Sequence, residues 1–331
     1  MTELTLQEEQ LIGDFNNRLL KKVEIGLLLT DDEQSEKINE FCDTLARLAP
    51  AIMVDRSKVQ DDRPPGIQVS ERLRFHAAPF GAQLEPFLEA LEYLDAKPVD
   101  IPDPVRSRLD RTRTPALLKL YIARQCPYCP VMARQMIPLA FANKFVDLTV
   151  TDGTLFPDLA RSDRIMSAPT LLFNENVRWT GLTPLADIVD IISNLDPSEL
   201  SASTLEGILK NGNAPDVARM MVESGKVFPG LIELLAHGKW PARLGAIVAI
   251  EYVAEEDIKL AAQCVDPLLK CLSSMDDTSV GDVLYIFGLV GEPDVIPELE
   301  SILRGRNSTE LKEAFQEAME SIRGRSFEKG L

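Results

Sequence analysis

Apolar positions along the chain recur with two different periods. In residues 6–20 and Glu33–Leu48 the spacing is helical, and Ile38, Phe41, Leu45 and Leu48 line one face of the second segment. Val23–Leu29 and residues 51–54 are apolar runs of strand length. Residues 66–69 and 73–75 predict two further strands with a tight connection, and residues 81–94 an amphipathic helix. The order is α-β-α-β-β-β-α. Residues 95–104, with three prolines and three aspartates, read as a linker.

The same order then recurs. Ala116–Ile122 predicts a strand, followed by a cysteine pair and a helix reaching residue 142. Residues 145–150 read as a strand and 155–161 as a short helix. Thr170–Phe173 and residues 177–179 form a strand pair around Asn174-Glu175-Asn176 as the turn. Residues 184–192 close the unit as a helix, with Pro184 suited to its first turn. Two units of similar length and order predict tandem copies of one fold.

Beyond Pro197 the strand signals vanish. Three segments begin alike: Val227-Phe228-Pro229-Gly230-Leu231, Val265-Asp266-Pro267-Leu268-Leu269 and Val295-Ile296-Pro297-Glu298-Leu299. Apolar helices over 242–253, 279–290 and 310–322 lie between and after them. Helices repeated at such a period must bury their apolar faces on one another, which predicts a short α-solenoid. The expected division is 1–107, 108–197 and 198–331.

Charge sharpens this picture. The net charge is −17, distributed as −9 over 1–107, +1 over 108–197 and −9 over 198–331. Two acidic flanks repel phosphates, so nucleic acid is excluded as an expected partner; they also serve solubility. No apolar run reaches the ~18 residues of a membrane span, and the acidic, polar start does not read as a secretory signal. The expected location is the cytoplasm.

Five cysteines, at 42, 126, 129, 264 and 271, are too few and too dispersed for a disulfide-stapled scaffold. Tetrahedral zinc wants four ligands, and neither a second Cys-x-x-Cys nor paired histidines accompany the close pair, so no metal is expected. His76 and His237 stand alone, and Cys42 falls on the apolar side of its helix. Cys264 and Cys271, seven apart, share one helical face about 10 Å apart along the axis and cannot bridge within it. Cys126 and Cys129 remain as the candidate chemistry. Cys126 follows a strand and opens a helix, where free N–H groups and the helix dipole favour a thiolate. Cys129 sits one turn on, more sheltered and placed to attack a mixed disulfide on Cys126. Pro127 fits a helix start, and Arg124 adds a positive charge nearby. The bland alternative is a pair of buried structural thiols.

Cys126-Pro127-Tyr128-Cys129-Pro130, Asp152-Gly153 and Pro169-Thr170-Leu171-Leu172-Phe173-Asn174 resemble the thioredoxin superfamily. Two such units in tandem are similar to archaeal-type protein disulfide oxidoreductases and to the N-terminal domain of the alkyl hydroperoxide reductase flavoprotein. In the first unit Phe75, Pro79, Gly81 and Phe87-Leu88-Glu89-Ala90-Leu91 resemble the closing strand and helix, while Leu29-Thr30-Asp31-Asp32 replaces the motif. That copy is expected to be redox-dead. The helical repeats resemble HEAT-type repeats.

The resemblance implies an α/β pair of tandem thioredoxin-like folds followed by an all-α HEAT-like solenoid. It implies Cys126 as nucleophile and Cys129 as resolving cysteine. Pro169 would be cis and lie against the disulfide, with Ala168, Thr170, Pro127 and Tyr128 shaping the substrate groove. Lys119 stands near where several relatives carry a buried acid, so proton transfer would use another group or water. No Gly-x-Gly-x-x-Gly loop is present, so the only expected cofactor is the redox-active disulfide, with a separate flavoprotein reductase as electron donor. The expected function is a thiol–disulfide oxidoreductase acting on client protein disulfides, with a protein partner on the helical repeats. Two alternatives stay open. One is a redox-sensing interaction scaffold. The other is a glutaredoxin-like, glutathione-dependent reductase, for which Trp179-Thr180-Gly181-Leu182-Thr183-Pro184 replaces the Gly-Gly-x-Asp-like turn.

Overall fold

The computed structural model describes residues 4–58, 64–174, 177–210, 212–306 and 308–328. They form two compact units, residues 1–194 and 195–331. The two α/β units expected at 1–107 and 108–197 lie together in the first, except that residues 195–197 fall in the second.

That first body is built on one eight-stranded sheet. Its strands are β1 (Val23–Leu29), β2 (Ile52–Lys58), β3 (Gly66–Ser70), β4 (Leu73–His76), β5 (Ala116–Ile122), β6 (Val146–Asp152), β7 (Thr170–Phe173) and β8 (Val177–Thr180). The order across the sheet is β2-β1-β3-β4-β6-β5-β7-β8. In each half a parallel pair (β1/β2, β5/β6) is extended by two antiparallel pairings (β1/β3 and β3/β4; β5/β7 and β7/β8). The shared order is the structural signature of duplication. The halves are stitched by a parallel pairing of β4 with β6, from Leu73↔Leu148 to His76↔Thr151.

Helices cover the sheet: α1 (Leu6–Arg18), α2 (Glu33–Leu48), α3 (Leu84–Leu94), α4 (Asp103–Leu109), α5 (Cys129–Ala142), α6 (Pro157–Ser162) and α7 (Leu185–Ser193). Each begins where its chemistry allows. Thr5 and Glu8 form a reciprocal capping box on α1. The Asp32 carboxylate accepts from the Ser35 amide, 2.7 Å, at the start of α2. Strand β1 buries Val23, Ile25 and Leu27 in alternation and packs on α2, whose Phe41 and Leu45 are likewise nearly inaccessible. Phe41 meets Phe80 and Phe87, and Phe75 meets Phe87, edge to face at 5.1–5.7 Å; such pairs add roughly 0.5–1.5 kcal/mol each. Two expectations are corrected here. The linker at 95–104 gives way to α4 from Asp103, because Pro104 in its first turn starts a helix as readily as it ends one. Pro184 is the cap of α7, with extended backbone, and not part of its first turn.

The second unit is helical among its described residues: α8 (Ala202–Lys210), α9 (Ala214–Ser224), α10 (Pro229–Leu235), α11 (Trp240–Glu256), α12 (Ile258–Ala261), α13 (Val265–Leu272), α14 (Asp277–Val290), α15 (Ile296–Leu303) and α16 (Thr309–Glu328). The three similar segments start α10, α13 and α15, as their prolines predict. Helices α8 and α9 escape the sequence pattern, because their first turns carry polar and small residues. Helix α9 packs on α11, α11 on α14, and α14 on α16. Arg243 of α11, 1% exposed, ties this stack together by donating to Asp282 at 2.8 Å and to the His237 carbonyl at 2.6 Å. Among the described residues no helix is long and apolar enough to cross a membrane.

Candidate redox site

Strand β5 delivers the chain to the sheet end, and residues 123–128 turn it into α5. Helix α5 begins at Cys129, with Pro130 in its first turn; Cys126 lies three residues earlier. Pro127 therefore precedes the helix, and it is Pro130 that satisfies the helix start, where a missing N–H matters least.

Cys126 and Cys129 are joined in a disulfide, with Cα atoms 5.5 Å apart. The two sulfurs are not equivalent. Cys126 is half-buried, whereas Cys129 is fully buried. The Cys129 backbone N–H donates to Cys126 Sγ at 3.1 Å. Directed amides and the positive end of α5 stabilise negative charge on Cys126 once the bridge opens; no acidic residue in the first turn of α5 opposes them.

The second wall comes from the approach to β7. The Ala168–Pro169 peptide bond is cis, and the Ala168 carbonyl oxygen lies 3.4 Å from Cys126 Sγ. Thr170, 2% exposed, anchors the turn by donating to the Ser167 carbonyl at 2.8 Å. The Pro169 carbonyl is satisfied by the Gly181 amide at 2.8 Å, where a φ of 82° favours glycine. Thus Cys126, Cys129, Ala168, Pro169 and Thr170 converge at one end of the sheet. Pro127 and Tyr128 sit on the exposed rim.

The rim also holds residues that sequence reasoning missed. They are Met166, 93% exposed, and Val131, 42% exposed, and they join Tyr128, 57% exposed, already expected at the groove. Bulky apolar groups stand in solvent on both sides of the disulfide. Met166 lies in a loop without hydrophobic period, so only its place three residues before Pro169 signals it.

Lys119 turns out to have a different task. Its Nζ meets Asp163 Oδ2 at 3.2 Å, and the same oxygen accepts from the Tyr121 hydroxyl at 2.7 Å. Burial, then the hydrogen bond from its hydroxyl to Asp163, push the Tyr121 phenol well above its ordinary range. Two residues apart on a strand, Lys119 and Tyr121 share one face, which joins β5 to α6. The intervening Leu120 is fully buried. Arg124 leans over the Phe80 ring of the first half at 5.5 Å. Among the described residues no cluster of His, Cys, Asp or Glu could hold a metal ion.

The other thiols are packing groups. Cys42 and Cys264 are buried, and desolvation pushes both up to about 12. Cys264 lies just before α13 and Cys271 within it, so they do not share a continuous α-helical face. In the first half, Asp32 caps the start of α2, with Thr30 donating to it at 2.6 Å. That copy carries no cysteine there.

Residues 117–193 match the family profile described as a thioredoxin domain. The match spans 77 of the chain's 331 residues. A curated relative, the alkyl hydroperoxide reductase AhpF of Pseudomonas putida, is 24% identical over 195 residues, covering 57% of this chain. The match covers 37% of that relative's length. Two solved structures share the fold. The N-terminal N/C domain of the alkylhydroperoxide reductase AhpF of Enterococcus faecalis has a TM-score of 0.52 at 17% identity, covering 57% of this chain and all of that one. A protein disulfide oxidoreductase of Aeropyrum pernix has a TM-score of 0.53 at 16% identity, covering 58% and 94%. The matched segment is the second half of a body that shares the fold of these two structures.

Proposed function

We propose that the protein is a dithiol–disulfide oxidoreductase acting on protein disulfides. The observation that carries this is the Cys126–Cys129 bridge, with its half-buried sulfur against Ala168 and its partner fully enclosed.

In the reduced protein the Cys126 thiolate attacks one sulfur of a client disulfide. A mixed disulfide forms, and the first client sulfur leaves as a thiolate that takes up a proton. Cys129, deprotonated in turn, attacks Cys126 Sγ, closes the internal disulfide and releases the second client thiol. Two electrons have passed to the client. A separate flavoprotein reductase returns them. The Ala168 carbonyl and the Thr170 turn shape the groove in which an extended client segment lies. Tyr128, Val131 and Met166 give the client apolar area, which a protein surface fills and glutathione fills poorly.

The first half acts as an inert platform. Arg134 of α5 reaches Glu89 at 2.8 Å and Glu85 at 2.7 Å on α3, holding the active helix against it. The helical unit is read as a HEAT-type module that binds a protein partner.

Cys129→Ser retains the first attack and lacks the second, so it accumulates mixed disulfides that Cys126→Ser cannot form. Disulfide-linked adducts from the first variant only, on non-reducing gels with peptide mapping to Cys126, support this reading. Adducts from neither overturn the protein-client reading, and a CPYC pair that responds only to glutathione would replace it.

A further inference from the structure

The helical unit leaves one face of α11 uncovered. Trp240, Leu244 and Tyr252, 40–52% exposed, fall on it at intervals of four and eight residues, with half-buried Val248 between the last two. This is the i, i+4, i+8, i+12 spacing of a helical stripe about 18 Å long. Beside it runs a groove of about 330 Å³, lined by Leu209 of α8, Pro215 of α9, and Gly245 and Val248 of α11. On the other side Tyr285 of α14, 52% exposed, donates to Glu251 at 2.6 Å.

The ends of the stripe differ in charge. Exposed Lys239 precedes Trp240, while exposed Glu255 and Glu256 follow Tyr252 one turn on. The stripe is thus close to palindromic in shape about residue 246 and opposite in charge at its two ends.

We infer that this face pairs with the same face of a second copy, α11 running antiparallel to α11 about a two-fold axis. This rests on the reading of the helical unit as an interaction module and names its partner; the redox reading does not depend on it. The two-fold sets Trp240 against the second copy's Tyr252, and Leu244 against its Val248. Each Lys239 comes to the acidic end of the other helix. Antiparallel helix dipoles add to the attraction, and the Leu244 ridge of each copy enters the groove of the other, as helix packing requires. At these exposures each aromatic ring has on the order of 100 Å² left to cover. Doubled by symmetry and with Leu244 added, the stripe covers several hundred Å², below the ~1,200 Å² at the lower end of specific interfaces. The dimer is therefore weak and concentration-dependent.

Sedimentation velocity on the full chain, from low micromolar to submillimolar concentration, tests this. The mass rises from 36.7 kDa toward twice that value. Leu244→Glu holds it at the lower value at every concentration, with an unchanged circular-dichroism spectrum and melting temperature. Lys239→Glu weakens association at least severalfold, and adding Glu255→Lys and Glu256→Lys restores it. A wild-type chain that stays at 36.7 kDa throughout, or a dimer indifferent to Leu244→Glu, overturns the self-pairing. The yield of mixed disulfides separates the two failures. If the wild type is monomeric but Leu244→Glu lowers trapping by Cys129→Ser, the interaction reading stands with a different partner and self-pairing falls.

Discussion

Cys126 Sγ lies 3.4 Å from the carbonyl oxygen of Ala168, so the attackable sulfur and the groove backbone form one recognition element. On the proposed function, a client strand that reaches Cys126 passes along residues 166–168. Access to the sulfur is decided by that loop as much as by the motif.

This gives the first prediction. Met166→Glu replaces a 93% exposed apolar side chain on the rim with a charge. Losing part of the burial worth of a methionine, ~1.5–3 kcal/mol in full, lowers kcat/KM on a protein disulfide by roughly tenfold. Reduction of a small symmetrical disulfide, too short to touch Met166, stays within about twofold. Steady-state kinetics on both substrates decides it; equal losses on the two would show that Met166 supports the loop and does not meet the client.

A second prediction concerns pH. His76 ends β4 at the seam with β6, with Nδ1 2.8 Å from the Pro65 carbonyl. Burial is the main cause that lowers it from 6.5 to about 4. The unfolded chain therefore binds this proton at higher pH than the folded one. Stability falls as pH drops from about 6.5 to about 4, by on the order of 3 kcal/mol in all. His76→Asn keeps a donor near the Pro65 carbonyl and cannot titrate. Urea unfolding at pH 7.5 and 4.5 should show a shallower loss in the variant; identical slopes would clear His76 of the effect.

The two large ion-pair systems should respond very differently to loss of a partner. Asp282→Ala strands Arg243, which is 1% exposed, without its carboxylate. Leaving a buried charge unpaired costs about 3–5 kcal/mol. Arg134→Ala breaks contacts to Glu85 and Glu89 that are more than a third exposed, and solvent screening holds the loss to roughly 1 kcal/mol or less. Thermal melts of both variants check the contrast. Comparable losses would mean that the α3–α5 contact carries more than its exposure allows.

Backbone contact in the helical unit gives a fourth test. A Cβ on Gly230 would lie 2.7 Å from the Leu200 carbonyl oxygen and 2.9 Å from the Ala202 amide. Both are main-chain atoms and cannot rotate away. Gly230→Ala should destabilise by about 1–3 kcal/mol, against near neutrality for Gly238→Ala, where nothing lies within 4 Å. Neutrality at both positions would show that α10 can shift without loss.

Much of this architecture is legible in the order of residues. Val23–Leu29, Glu33–Leu48, Ala116–Ile122 and Thr170–Phe173 match their elements end for end, because each is a clean period bounded by polar or turn residues. The duplication is legible too, since the element order repeats. The joining of β4 to β6 is not, because a long-range parallel pairing leaves no local mark. Strand β2 runs on to Lys58, beyond the apolar residues 51–54, since pairing with β1 holds polar residues in extended form. The turn expected at 174–176 includes Glu175 and Asn176, which lie outside the described residues. At the site, the cysteines and Pro169 have distinctive sequence neighbours. The role of Lys119 is not legible, because its partner Asp163 is 44 residues away and marked by no motif.

Central to all of this is that Cys126 and Cys129 form a reversible two-electron couple. Equilibration of the full chain in graded thiol–disulfide buffers, followed by intact mass and peptide mapping, measures it directly. One transition is expected, loss and regain of two hydrogens confined to this pair, within the range of about −270 to −120 mV spanned by thioredoxin-fold oxidoreductases. Cys126→Ser abolishes that transition and leaves Cys42, Cys264 and Cys271 as thiols. A pair that stays reduced at every poise, or a transition that survives in Cys126→Ser, would contradict it.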